Sequence, residues 1–437
     1  MRRFAALVSV VFVGCAARPQ AAASRATVEP QACEAPVGFT TTRGGIGGSI
    51  VRVTSLAANG EGSLASALAQ RGARIVVFEV GGVIDLEGRS LDIFEPNLTI
   101  AGQTAPSPGI TLVRGGIEVH THDVVIQHLR VRPGEAGREK QSGWEVDGIT
   151  TGKGAADVIV DHCSLSWATD ENLTASGPRF DGATPDAWRA STSHRITFSN
   201  NIVAEGLSLS THRKGEHSKG TLVHDNVTDV ALVRNLYLSN VERSPYFKGG
   251  ARGVVVNNWV VNPSHYAMKY ALNADEWGDH PPQTGAMSVV ANVFEYGPDT
   301  PAATALLFVD GVGACQLYLN GNLALDRNRQ TVPLVSGKSQ LLSLQMQPLS
   351  WPATLRALPA TDVKAFISRN AGARPWDRDA TDRRVMRDAL SARGKIVNSE
   401  SEVEGYPQVA ATRAPFVAEE WNLACVSAQR RLTPTTH

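Results

Sequence analysis

Charge of one sign is missing from this 437-residue chain: 42 Lys and Arg stand against 42 Asp and Glu. With no net field, nothing invites a nucleic acid as partner. Aromatic residues are scarce at 6%, whereas glycine occurs 40 times. That balance suits many turns and small packing positions better than long helices. Cysteine is sparse, five in all and never as CxxC, which argues against a zinc knuckle. Past the N-terminus no apolar run is long enough for a membrane span. There is no G-x-S-x-G, P-loop or dinucleotide fingerprint, and His212 and His217 lack the HExxH spacing.

What is present begins with residues 1–23, which read as an export leader. Arg2 and Arg3 make a basic start, and Phe4 to Val13 is an apolar run too short to cross a bilayer. Cleavage is expected after the small residues Ala21-Ala22-Ala23, delivering a secreted or periplasmic protein. "FVGC" offers an alternative, a lipid anchor at Cys15 on the outer membrane. Of the other cysteines, Cys33 and Cys425 are candidates for one disulfide, and Cys163, inside an apolar run, is expected as a buried thiol.

The middle of the chain repeats itself. "DVVIQHLRV" (123–131), "DVIVDHCSL" (157–165), "RITFSNNIV" (195–203), "DVALVRNLY" (229–237), "RGVVVNNWV" (252–260), "MSVVANVFE" (287–295) and "QLYLNGNLA" (316–324) each join a β-branched run to a polar pair and a second apolar run. Taking His128, His162, Asn200, Arg234, Asn257, Ala291 and Gly321 as equivalent gives intervals of 34, 38, 34, 23, 34 and 30 residues. The shortest is about one bare coil of a β-solenoid, and the longer ones add loops. One position on, Asn201, Asn235, Asn258, Asn292 and Asn322 coincide, as expected for stacked amides about 4.8 Å apart in a parallel β-helix. This predicts an all-β fold with a β-helix domain over 24–339. A cap helix is expected near 62–70, and a 340–437 extension of helices and loops includes an amphipathic helix with apolar Val385, Met386, Ala389 and Leu390.

Loops at 131–147, 167–194 and 205–221 and a turn at 241–250 would then project from neighbouring coils. They carry Glu145 and Asp147, Asp170 and Glu171, and the cations Lys214, Lys219, Arg243 and Lys248. Carboxylates clustered without His or Cys favour a hard ion such as Ca²⁺, and facing cations suit a polyanion. His162 is expected as a buried strand histidine bonded to backbone.

These residues carry a resemblance. "GFTTTRGGIGG" (38–48), "VIVDHCSLSW" (158–167) and "RSPYFK" (243–248), together with the asparagine ladder, are similar to the segments of polysaccharide lyase family 1, the pectate lyases. The resemblance spans roughly residues 37–325 and implies a right-handed parallel β-helix. It also implies Ca²⁺-dependent β-elimination of an acidic polysaccharide such as polygalacturonate. It implies Arg243 as the base with Lys219 before it, Lys248 at the substrate, and Asp147, Glu145, Asp170 and Glu171 around the metal; Lys214, from the cationic set, and His217, read as a loop or outer residue, are expected on the substrate side without that support. Lys248 stands where many members have Arg, and the second acidic patch departs from the better-known members. A monomer is expected. A β-helix glycoside hydrolase and a non-catalytic polyuronate-binding solenoid are the alternatives.

Overall fold

A coil of this chain has three short strands, because each β-branched run is interrupted by a residue that turns a corner. The structure, a computed structural model, describes Met1, Cys33, residues 35–425 and the backbone of 429–430. The leader and Cys15 lie outside the described residues. Successive coils stack into three parallel sheets of 11, 10 and 9 strands, the second including one antiparallel strand, Thr412–Arg413. Sheet 1 runs from Ser49–Val53 to Leu342–Leu344, sheet 2 from Val80–Asp85 to Leu323–Leu325, and sheet 3 from Leu91–Ile93 to Val335–Gly337. The fold is the expected parallel β-helix.

The register reproduces the repeat. In sheet 1 Val124 pairs with Val158, then Ile196, Val230, Gly253, Met287 and Leu317, offsets of 34, 38, 34, 23, 34 and 30 residues. The positions taken as equivalent are the corner between sheets 1 and 2. His128, His162, Asn200, Arg234, Asn257, Ala291 and Gly321 all have φ between 50° and 65°. Gly and Asn tolerate that left-handed region and most residues resist it, so the corner is held by the residue after it.

In the central coils that residue belongs to the asparagine ladder. Asn201 Nδ2 donates to Asn235 Oδ1 at 3.0 Å, Asn235 to Asn258 at 2.9 Å, Asn258 to Asn292 at 3.0 Å and Asn292 to Asn322 at 2.9 Å. Each amide also donates to a carbonyl of the preceding coil, such as Asn258 to Leu232 at 2.8 Å. The buried amides are thus satisfied in full, where an unpaired one would cost roughly 1–3 kcal/mol. Inside the coils, stacked Val, Ile, Leu and Phe form one continuous core.

The ends and flanks are covered as the pattern suggested. Helix α1, Leu64–Leu68, is capped by Ser63 and buries Leu64, Ala67 and Leu68. Helix α2, Pro185–Ser191, and α3, Ala274–Trp277, lie in inserted loops. Helices α4, Ala360–Asn370, and α5, Ala380–Ser391, pack on the outer face of sheet 2 through Val363, Ile367, Val385, Met386 and Ala389. Leu390 differs from expectation: it is exposed, one step past the apolar stripe. The coil strands also continue to Leu342–Leu344, slightly beyond residue 339. Cys33 and Cys425 form a disulfide, and Cys163 and Cys315 are buried free thiols.

His162 is a correction. It is half-buried and its Nδ1 lies 2.7 Å from Asp161 Oδ2, while its ring stacks on His128. It stands just past the strand Ala156–Asp161 at a left-handed corner, and its ring nitrogen meets the neighbouring carboxylate.

Candidate active site

The site is built by the leading edge of sheet 3. Glu171 opens the strand Glu171–Ala175 and pairs in register with Lys219, which opens Lys219–Val223. Asp147 lies two residues before Ile149–Thr151, and its carboxylate accepts the Glu171 backbone N–H at 2.9 Å. Lys219 in turn bridges to Glu242, which precedes Arg243. Four coils therefore bring Asp147, Glu171, Lys219 and Arg243 to one ridge, although 96 residues of sequence separate the first from the last. The approach is close. A Cβ on Gly220 would collide with the Arg243 carbonyl, so only glycine lets that coil pass. Arg243 itself sits at φ 66°, a strained conformation for a side chain of its size.

Oxygen atoms of Asp147, Asp170 and Glu171 all lie within 4.8 Å of one another. Arg243 Nη1 forms an ion pair with Glu171 Oε1, and its guanidinium lies over the Tyr246 ring at 5.6 Å. Burial, then the charge of Asp170, pushes the Asp147 carboxyl well above its ordinary value. Burial acts the same way on Asp170. There the hydrogen bond from His217 and the charges of His217, His212 and Arg243 prevail, and the carboxyl is held low. Burial lowers the Arg243 pKa, although Asp170, Tyr246, Asp147 and Glu276 oppose the shift. Three carboxylates against one guanidinium leave excess negative charge. An all-oxygen cluster of irregular shape, with one member driven toward protonation, fits a hard divalent cation such as Ca²⁺, held by Asp147, Asp170 and Glu171.

Other expected residues lie elsewhere. Glu145 faces away from that cluster: its Oε1 accepts the Arg213 N–H at 3.1 Å and lies 3.7 Å from His212 Nδ1. Alternate residues share a face only in an extended strand, and the segment around Glu145 is a loop. Lys214 is exposed, and its backbone N–H donates to His212 Nδ1 at 3.1 Å. His217 is buried with Nε2 2.6 Å from Asp170 Oδ1, so it reaches the acid rather than solvent. Lys248 is also buried, its ammonium held by Glu276 and lying 3.4 Å from Asp225. Glu276 sits on α3 and is joined to Arg179 at 2.9 Å, so an inserted loop takes up this lysine.

Glu242 and Lys269 were missed. Glu242 accepts from Lys219 Nζ at 2.6 Å, and a glance at the rung opposite Lys219 would have found it. Lys269 lies within 4.8–5.9 Å of the Tyr246, Tyr266 and Phe308 rings, one coil beyond Tyr246. Only the register reveals that neighbourhood.

The chain is thus a parallel β-helix that carries three clustered carboxylates and a part-buried arginine on one sheet edge. No family model matches the chain. It is 31% identical over 374 residues to a probable pectate lyase C of Emericella nidulans, covering 83% of this chain and 76% of that protein. It is 30% identical over 370 residues to a probable pectate lyase C of Aspergillus flavus, covering 83% and 78%. The chain belongs to the pectate lyase family and is a polysaccharide lyase. Its fold is similar to that of the cedar pollen allergen jun a 1, with a TM-score of 0.54 at 18% identity over 77% of this chain and 92% of that one. It is also similar to a pectate lyase bound to a hexasaccharide, with a TM-score of 0.50 at 16% identity over 77% and 94%.

Proposed function

We propose that this chain is a secreted, Ca²⁺-dependent pectate lyase that cleaves α-1,4-linked polygalacturonate by β-elimination to unsaturated oligogalacturonides. The observation that carries the reading is the Arg243 guanidinium set against the Asp147, Asp170 and Glu171 carboxylates on one ridge. Arg243 takes the C5 proton of a galacturonate, the C4–O bond breaks, and its electrons depart with the leaving oxygen as the C4–C5 double bond forms. Bound calcium would neutralise the uronate carboxylate and the enolate-like charge that develops.

An arginine base is demanding, since its pKa ordinarily exceeds about 12 and each unit of depression costs about 1.4 kcal/mol. Burial of Arg243 supplies part of that depression, and alkaline conditions favour the rest. Lys219, buried beside it and tied to Glu242, adds positive charge where negative charge accumulates. Lys248 would bind a uronate only by exchanging its partner Glu276 for the substrate carboxylate. The Cys33–Cys425 disulfide supports export, because such bonds persist in oxidising compartments. No described helix is long and apolar enough to cross a membrane.

The rival enzyme reading is an inverting hydrolase, which needs two carboxyl groups roughly 6.5–9.5 Å apart with room for a water between them. The test is incubation with polygalacturonate and CaCl₂, with and without chelator, while recording the ultraviolet absorbance of unsaturated ends. Calcium-dependent absorbance is expected. Reducing ends without absorbance would indicate hydrolysis, and binding with neither product would indicate a carbohydrate-binding solenoid; either result overturns the reading.

A further inference from the structure

His217 and His212 are both buried, their rings stacked with centroids 3.7 Å apart and planes 10° from parallel. They sit on a loop folded back on itself. Leu209 and Glu216 form an antiparallel bridge, the His217 N–H donates to Ser208 O at 3.0 Å, and the Ser218 N–H to Leu207 O at 2.9 Å. The same loop is fastened to the segment that leads into Asp147. Thr211 Oγ1 donates to Trp144 O at 2.6 Å, and the Gly143 N–H donates to Thr211 O at 2.8 Å. The His212 Nδ1 accepts the Lys214 N–H, which places that ring's proton on Nε2.

This pair is ill-suited to ligate a soft metal. Ligand atoms of His212, His217 and Asp170 lie within 4.8 Å of one another, but His212 Nδ1 is taken by the Lys214 N–H and His217 Nε2 by Asp170 itself. Nor does His217 face a sugar, since its Nε2 is taken by Asp170. What the geometry does provide is direction. Asp170 is part-exposed, with 31% of its side chain accessible, and a carboxylate there would otherwise sample several rotamers. The hydrogen bond at 2.6 Å fixes one oxygen, and the stacked His212 prevents the His217 ring from turning away.

We infer that His217, braced by His212, is a positioning residue that presents the second oxygen of Asp170 to the cation. The inference rests on the calcium reading of the carboxylate cluster. Hydrogen bonds behind a ligand orient it, and their loss typically weakens metal binding by about 10–100-fold. The role belongs to the donated hydrogen bond, so a side chain that restores the donor restores the affinity.

The experiment is calorimetric titration of chelator-treated full-length protein with CaCl₂ at fixed pH. His217→Ala is expected to raise the calcium Kd about 10–100-fold. His217→Gln, whose amide reaches near the Nε2 position, is expected to recover most of that loss. The calcium concentration for half-maximal lyase activity is expected to shift in step. Melting temperatures in chelator identify a variant that merely fails to fold, and His217→Phe, which keeps a ring against His212 but donates no hydrogen bond, then serves in its place with the same weakening expected. A Kd for His217→Ala within about twofold of the parent overturns the inference, as does His217→Gln binding as poorly as His217→Ala. A His217→Phe of parental melting temperature and parental affinity also overturns it. A parent chain that binds no calcium removes this inference together with the calcium reading. A parent that binds calcium, with an unchanged His217→Ala, removes this inference alone.

Discussion

Two charge clusters lie against different sheets of the same coils, one buried and one part-exposed, and they are built to opposite ends. On sheet 2, Arg130 and Arg132 are fully buried beneath α5 and face Asp379 and Asp382. Two cations meet two anions, and Ser164 adds a hydrogen bond to Asp382 at 2.8 Å. Burial would raise the Asp379 carboxyl, but Arg132 and Arg130 hold it well below its ordinary value. On the edge of sheet 3, three carboxylates meet one guanidinium, and the Asp147 carboxyl is driven up instead. A balanced cluster fastens the C-terminal helices to the coils. The other carries more carboxylates than cations. The shifts in the second cluster do not run one way, since Asp170 is held low by His217 and its neighbours beside a raised Asp147.

Substitutions in the two clusters put this contrast at risk. The largest effect is expected from Arg243→Ala, which removes the proposed base and leaves Glu171 without its guanidinium. Turnover should fall about 10²–10⁴-fold by product absorbance, while calcium binding survives. Next is Asp382→Ala, which leaves buried arginines short of a partner. It should cost about 3–5 kcal/mol in denaturant unfolding, with no change in calcium affinity once the protein is folded.

Acid should act on the balanced cluster in a predictable sense. Asp379 has a folded pKa below its ordinary 3.8, so its contribution is complete above that value and is lost as pH falls below it. Asp379→Asn should therefore flatten the acid side of a stability–pH profile. The smallest effect, and the most telling, belongs to Asp147→Asn. Without calcium, unfolding should be neutral or slightly stabilised, within about 1 kcal/mol of the parent, because an uncompensated buried charge is gone. The added stability that calcium gives the parent should disappear. A large loss in chelator would show the two clusters to be alike.

Legibility in the sequence divides along similar lines. Asp147, Asp170, Glu171, Lys219 and Arg243 were legible because the repeat sets which coil each belongs to, and the similarity of "RSPYFK" singled out the arginine. Glu145, Lys214 and Lys248 were assigned by the same reasoning, yet they lie outside the cluster. Their surroundings come from insertions, which obey no repeat. Lys248 meets Glu276 from α3 and Arg179's partner network, and Glu145 meets Arg213 across a loop. A second asparagine link, Asn172 Nδ2 to Asn240 Oδ1 at 3.1 Å, escaped notice for the same reason: the 205–218 excursion hides the spacing.

The coil was already written in the residues: β-branched runs, a left-handed corner and an amide that stacks on its like, because a repeating unit can bury its polar groups only against a copy of itself. So was the spacing that brings distant residues to one ridge. Which charges are cancelled and which are left over was settled only when the chain folded. That outcome depends on a few ångströms between loops of unequal length, and the local pattern of residues carries no record of such distances.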